Sequence, residues 1–141
     1  DLKKISIPGV KQVNFDTLLR QSDVISIHIH LNDETRGLFS RAAFRKMKPG
    51  VVIVNTSRGK IIDESALLEA LESGRVAAAG IDVIENEWSK NIRNHPLVRY
   101  AREHDNLLIT PHIGGATVES VVGARIFLAK RLAEYLKKNF R

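Results

Sequence analysis

The 141-residue sequence is 43% hydrophobic and 27% charged, the balance of a globular domain that can bury roughly 68–70% of the surface its unfolded chain exposes. Its apolar runs fall far short of the ~20 residues a membrane span needs, its opening "DLKKISIPGV" lacks a secretory h-region, and cysteine is absent, so a cytoplasmic protein without thiol chemistry is expected. The net charge of +6 comes from basic residues scattered through every segment, with only short pairs at Lys3-Lys4 and Lys137-Lys138; this predicts mild attraction for anions, no nucleic-acid surface and no membrane partner.

In chain order, "NFDTLLRQS" (14–22) reads as a first helix and leads into "VISIHIHL" (24–31), a strand whose partial alternation suits a position near a sheet edge. "SRAAFRKM" (40–47) predicts a second helix, with Ser40 as N-cap and Pro49-Gly50 as its stop. "VVIVN" (51–55) is a continuous apolar strand. "DESALLEALESG" (63–74) is the clearest helix: Asp63 caps it, Glu64 suits its first turn, Leu67, Leu68 and Leu71 make its apolar stripe, and Gly74 ends it. "AAAGIDVI" (77–84) and "NLLIT" (106–110) are further strands. Between them, "ENEWSKNIRNHPLVRYAREHD" (85–105) predicts a long polar loop and a short helix at about 96–103. A last helix starts near Thr117 and occupies residues 118–141, its cationic end matching the helix dipole.

Near-continuous Val, Ile and Leu runs are the mark of strands covered on both faces, and their alternation with helices implies βαβ units with right-handed crossovers. The predicted fold class is α/β: a partial doubly wound, Rossmann-type parallel sheet with flanking helices.

Ligands of such sheets bind beyond the carboxyl ends of the strands. There the sequence puts Asn55, Thr56, Ser57 and Arg58 after the second run, Asp82, Glu85 and Glu87 after the third, and Thr110, Pro111, His112, Gly114 and Gly115 after the fourth. A buried strand that runs into a permanently charged guanidinium needs water, a carboxylate or an anionic ligand at that point. Imidazole takes and gives protons near neutrality, a carboxylate on its other nitrogen fixes its tautomer, and arginine grips a carboxylate through two parallel hydrogen bonds. These residue types suit an α-oxygenated carboxylic acid whose oxygen gains or loses a proton. Taken singly, each also suits an ordinary polar loop. In "PHIGGAT" (111–117) the glycine pair allows close backbone approach, and the following helix start either favours an anion or is capped by Thr117. His28 and His30 share one strand face, but zinc takes three or four protein ligands and no further cluster is evident, so no metal is expected. His95 and His104 read as surface residues.

"SDVISIHIHLNDETRGL", "MKPGVVIVNTSRGKIIDESALLEALESGRVAAAGIDV" and "NLLITPHIGGAT" together resemble the second half of the nucleotide-binding domain of the D-2-hydroxyacid dehydrogenases, a family that includes phosphoglycerate, D-lactate and glycerate dehydrogenases. The resemblance covers roughly residues 15–138. It implies an NAD-dependent oxidoreductase, NADP not excluded, that moves a hydride between nicotinamide and a small anionic 2-hydroxy or 2-keto acid. By the same resemblance Arg58 binds substrate, His112 is the acid/base, and Glu87, five residues after Asp82, pairs with His112. Asp82 lies by the nicotinamide carboxamide; His28, Ile29, His30, Thr56, Ser57, Arg58, His112, Gly114 and Gly115 make up the rest of the cofactor side. A homodimer is the family's usual state. Three features depart from the pattern: Trp88 stands where proline is common, His30 also replaces a frequent proline, and no G-x-G-x-x-G occurs in the sequence, although that turn holds the pyrophosphate. The family's ribose-binding acid is not assigned to Asp1. Residues 1–141 are therefore expected to be the carboxyl-side portion of a dinucleotide-binding domain, without the first βαβ unit or the substrate domain and inactive alone. A non-catalytic dinucleotide-binding or protein-interaction module derived from the family is the alternative.

Overall fold

The computed structural model describes residues 7–139; residues 1–6, including Asp1 and the Lys3-Lys4 pair, and residues 140 and 141 at the end of the expected last helix lie outside the described residues. The elements follow as α1 (Phe15–Gln21), β1 (Val24–Ile27), α2 (Arg41–Lys46), β2 (Val51–Asn55), α3 (Glu64–Glu72), β3 (Val76–Ile81), α4 (Pro96–Glu103), β4 (Leu107–Ile109) and α5 (Val118–Asn139). Short 3₁₀ turns occupy Gly59–Ile61 and Ile92–Asn94. The helix starts are built as the sequence predicts: Ser40 accepts the Ala43 N–H and Asp63 that of Ala66, while Asn14 does the same for Thr17.

All four strands are parallel and lie in the order β1-β2-β3-β4, with β1 at an edge. The sheet thus grows in one direction, and the described residues form one wing of a doubly wound plan. Right-handed crossovers in a sheet that grows one way put every helix on one face. Contacts of α1 with α2, α2 with α3 and α3 with α4 fit such a row. Beneath it lies the core: Ile25 and Ile27, Ile53, Ala79 and Ile81, and Leu107 from the strands meet Leu19, Phe44, Leu67, Leu71 and Leu97 from the helices.

Two expectations are corrected. The apolar runs were expected to be covered on both faces, yet among the described residues only one face is fully buried. On the other, Val24 is 61% and Leu108 67% exposed, with Val52, Val54 and Ala78 half-buried. Helices that all sit on one side leave the second side partly open, and α5 buries none of its residues. The first and third runs also outlast their strands. β1 stops at Ile27, whose carbonyl accepts from the Ser57 hydroxyl at 2.8 Å, and His28, Ile29, His30 and Leu31 leave the sheet. β3 stops at Ile81; Asp82, Val83 and Ile84 stay buried beyond it, and Asp82 bonds to the loop after β4.

Candidate active site

Strand ends are tied together one after another along the carboxyl edge. The Asp82 N–H donates to the Asn55 carbonyl and the His112 N–H to the Asp82 carbonyl, each at 2.9 Å. Asn55 explains how "NTSRG" leaves the sheet. Its side chain is fully buried, its Oδ1 accepts the Ser57 N–H at 3.0 Å, and its Nδ2 donates to the Arg58 carbonyl at 3.0 Å. The buried amide wraps the turn around itself, an Asx arrangement, and presents Arg58 on the exposed side of that turn. The Arg58 guanidinium donates to the neighbouring Ser57 carbonyl at 2.6 Å. Asn55 was named in the sequence only as a residue of the strand end; its turn-building role has a signal there, an Asn followed by small polar residues after a strand.

Asp82 organises the next loop. Its Oδ1 accepts from the Thr110 hydroxyl at 2.5 Å and the Ile113 N–H at 3.0 Å, and its Oδ2 from the Gly114 N–H at 2.9 Å. Burial pushes this carboxyl up, but the bonds from Thr110, Gly114 and Ile113 outweigh it and hold the acid below the usual carboxylate range. A Cβ at residue 114 would stand 2.9 Å from Asp82 Oδ2, so glycine is what lets the backbone reach the carboxylate.

His112 follows directly. Its φ of +53° lies in the left-handed region, a conformation uncommon outside glycine and concentrated at functional sites. Its Nδ1 is 2.7 Å from Glu87 Oε1. Because an ionised carboxylate only accepts, Nδ1 is the donor in this bond and Nε2 faces away from Glu87. Glu87, and not Glu85, makes this bond; the backbone N–H of Glu85 is committed to Glu64. The Trp88 ring stacks beside His112 at 6.3 Å and 27°. Asp82, Glu87, Trp88, Thr110 and His112 share a cavity of about 250 Å³.

The structure does not draw every expected residue together. Arg58 is not among the residues lining that cavity. His28 and Ile29 line a separate one near α1 and β1, where His28 Nε2 sits 2.7 Å from the Ser26 hydroxyl. Thr56, His30 and Gly115 are exposed, and the Thr117 hydroxyl accepts the Ser120 N–H at 3.1 Å, so the start of α5 carries its own cap. His104 is exposed as expected and stacks on Tyr100. His95 departs from its expected surface position. The 3₁₀ turn at Ile92–Asn94 brings it inward to Glu64, with the side chain 14% exposed. Among the described residues there is no cluster of three or more His, Cys, Asp or Glu fit for a metal, and no helix is long and apolar enough to cross a membrane.

A dinucleotide fits these residues at one end. Asp82 Oδ2 receives one hydrogen bond and can accept a second, which suits a carboxamide N–H, and the exposed backbone of Gly114 and Gly115 leaves room for a ring. The glycine-rich turn that would hold a pyrophosphate is not part of this sequence.

A one-way parallel sheet with flanking helices, carrying an imidazole–carboxylate pair at its carboxyl edge, is an α/β domain of the Rossmann type. Residues 2–114 match the model of the D-isomer specific 2-hydroxyacid dehydrogenase NAD binding domain, and the chain belongs to that family. It is 43% identical to D-3-phosphoglycerate dehydrogenase of Archaeoglobus fulgidus over 92% of this chain and 23% of that protein. Against hydroxypyruvate reductase of Thermotoga maritima the identity is 42%, over 90% of this chain and 40% of that one. The chain therefore spans less than half the length of these relatives. Among solved structures, D-2-hydroxyisocaproate dehydrogenase aligns with a TM-score of 0.81 at 30% identity, covering 97% of this chain and 45% of that one. D-lactate dehydrogenase of Aquifex aeolicus, complexed with NAD and lactic acid, aligns at 0.71 and 32% identity, covering 90% and 41%.

Proposed function

We propose that residues 1–141 are the carboxyl-side portion of a dinucleotide-binding domain and supply the nicotinamide end and the acid–base group of an NAD-dependent D-2-hydroxyacid dehydrogenase. The substrate is a small anionic 2-hydroxy or 2-keto acid, the enzyme a cytoplasmic homodimer. The observation that carries this reading is the 2.7 Å bond between His112 Nδ1 and Glu87 in a loop anchored on Asp82.

NAD, when bound, supplies the hydride acceptor. In oxidation, His112 Nε2 takes the proton of the substrate hydroxyl as the hydride leaves the same carbon, and in reduction it returns that proton to the oxygen. Glu87 keeps the proton on Nδ1 in the resting state, so that Nε2 is the base, and stabilises the imidazolium that forms. Arg58, presented by the Asn55 turn, grips the substrate carboxylate and fixes the carbon in place. Asp82 holds the loop of His112, and its carboxylate, with Thr56, Ser57, Gly114, Gly115, His28, Ile29 and His30, would hold the nicotinamide side of the cofactor.

NADH titration of the chain, excited through Trp88 and read as nicotinamide emission, tests the cofactor half of the reading. Saturable transfer is the expected result and is expected to be lost in Asp82→Ala; no binding up to millimolar NADH makes the chain half a site, whereas saturable transfer undiminished in Asp82→Ala overturns the reading. The acid–base half is tested in the gene product that carries this sequence, by NADH oxidation with glyoxylate, hydroxypyruvate or pyruvate. His112→Ala is expected to keep NADH binding and abolish turnover; undiminished turnover removes His112 from the reaction.

A further inference from the structure

Glu87 stands in the loop that runs from Glu85 to His95, between β3 and α4. A catalytic pair is only as well placed as the loop that carries it, and this loop has no strand or long helix of its own. Its inner bonds are turns: Ser89 N–H to the Asn86 carbonyl at 2.8 Å and Ile92 N–H to the Ser89 carbonyl at 3.1 Å. Ile92 packs its middle against the core, and the polar bonds at its two ends both meet one carboxylate. Glu64, in the first turn of α3, accepts the Glu85 N–H on Oε1 at 2.6 Å and has His95 Nε2 3.1 Å from Oε2. Both side chains are largely buried, at 16% and 14% exposure. Burial raises the Glu64 carboxyl above its usual value, although the Glu85 N–H and His95 oppose the shift. Asp63 already caps α3, so the largely buried Glu64 carboxylate is engaged by the two ends of the loop and not by the helix start.

Two further contacts point the same way. The Ile84–Glu85 peptide, whose N–H goes to Glu64, also lies close against Gly59. A Cβ there would overlap Ile84 C and stand 2.7 Å from Glu85 N and 2.8 Å from Ile84 O. Gly59 immediately follows Arg58, so the arginine turn and the glutamate loop share a backbone contact. His95 Nδ1 is buried without a hydrogen-bond partner. The bond between His95 Nε2 and Glu64 is what holds the ring inside.

We infer that Glu64 and His95 form a staple that closes the 85–95 loop on α3 and thereby positions Glu87 against His112. Neither residue touches substrate or cofactor: both are positioning residues, acting through Glu87. The inference rests on the Glu87–His112 reading given above.

The test reads the tautomer of His112 from its ring ¹⁵N shifts in the 141-residue chain above neutral pH, where a bond to Glu87 selects the Nδ1–H form and free imidazole favours Nε2–H. Glu87→Ala calibrates the measurement and is expected to move His112 to the Nε2–H form. Glu64→Ala is expected to move it in the same direction, His95→Ala less far, and Glu64→Gln, which keeps an acceptor for the Glu85 N–H, to stay nearest the parent. A Glu64→Ala protein that melts earlier but keeps the parent tautomer overturns the staple, because lost stability without a change at His112 is what a purely structural acid gives. If Glu64→Ala does not fold, His95→Ala decides, and an unchanged tautomer there overturns it equally. If Glu87→Ala itself leaves the tautomer unmoved, the Glu87–His112 pair fails, and the staple with it. In the full gene product the same variants should lower kcat by roughly 10–100-fold with little change in substrate KM, as expected for small misplacement of a reacting group.

Discussion

Helices α3 and α5 are both amphipathic, yet α3 buries Ala66, Leu67, Ala70 and Leu71 against β3 and its neighbours, while α5 leaves Val121, Val122, Ile126, Leu128, Leu132 and Leu136 exposed. α3 lies between two strands that pair with each other, so the crossover carries it onto the sheet and its stripe has nowhere else to go. α5 follows β4, the last of the described strands, and is not a crossover between two of them. An apolar stripe states which face of a helix seeks a partner; whether the partner lies in the same chain is decided by topology. The sheet repeats the contrast, with one face packed by four helices and the other bare at Val24 and Leu108.

The contrast predicts a large effect where the stripe is buried. Leu67 is 1% exposed, so Leu67→Ala removes buried methyl groups and leaves a cavity. The expected loss is about 2–5 kcal/mol, read as a fall in the urea midpoint at unchanged slope. A loss under half a kcal/mol would mean that α3 is no better packed than α5.

Next in size is Asp82, the acid that joins the packed body to the site loop. Asp82→Asn keeps one acceptor but turns an N–H₂ toward the Gly114 or Ile113 N–H, at an expected cost of about 1.5–3 kcal/mol. The variant also has a pH signature. A carboxyl held below its usual value in the folded state stabilises folding at pH values above the unfolded pKa, and this contribution is lost as pH falls through the folded pKa. Asp82 and Asp63 both behave this way. Glu64 has the opposite sign: its raised pKa contributes stability at pH below the unfolded value, which is lost as pH rises through the folded one. Stability followed from pH 7 downward should therefore fall below the ordinary carboxylate range in the parent, and fall less in Asp82→Asn. An unchanged acid limb would show that Thr110, Ile113 and Gly114 do not hold the carboxylate.

Gly59→Ala probes the contact between the arginine turn and the glutamate loop. The new methyl must displace the Ile84–Glu85 backbone, and overpacking of this kind costs typically about 1–3 kcal/mol. Thermal melts read the cost, and loss of the Trp88–His112 stacking, seen as a shift in Trp88 emission, reads the displaced loop. A variant with the parent's melting point and spectrum would mean that the two segments move freely past each other.

The same topology explains what could be read from the amino acids and what could not. Helix starts were legible because a cap is local: Ser40 and Asp63 announce themselves within four residues. The residues of the carboxyl edge were legible because parallel strands all end there. The pairing of Glu87 rather than Glu85 with His112 was implied only by the resemblance; it depends on the left-handed turn at Asn86, whose φ is +51°, and nothing in the spacing of two glutamates two residues apart selects one of them. His95 was misread because "NHPL" looks like a polar loop and its partner Glu64 lies 31 residues earlier in the sequence. The bare face of the sheet was misread because an apolar run records what a strand can bury, not which helices are present to bury it.

The smallest expected effect is at α5. Leu132 is 58% exposed on a helix that buries none of its residues, so Leu132→Ala removes no packing in the single chain. Alanine has slightly the better helix propensity, and surface changes of this kind fall within about 0.5 kcal/mol. The expected urea midpoint is therefore unchanged at low protein concentration. Raising the concentration sharpens the comparison: association through α5 or the bare sheet face would stabilise the parent by mass action and leave Leu132→Ala behind. A midpoint that rises with concentration in the parent but not in the variant would make the α5 stripe the counterpart of the α3 stripe, with its partner in another chain. Midpoints that stay equal at every concentration would leave α5 unpartnered, and would place the difference between the two helices entirely in the order of the strands.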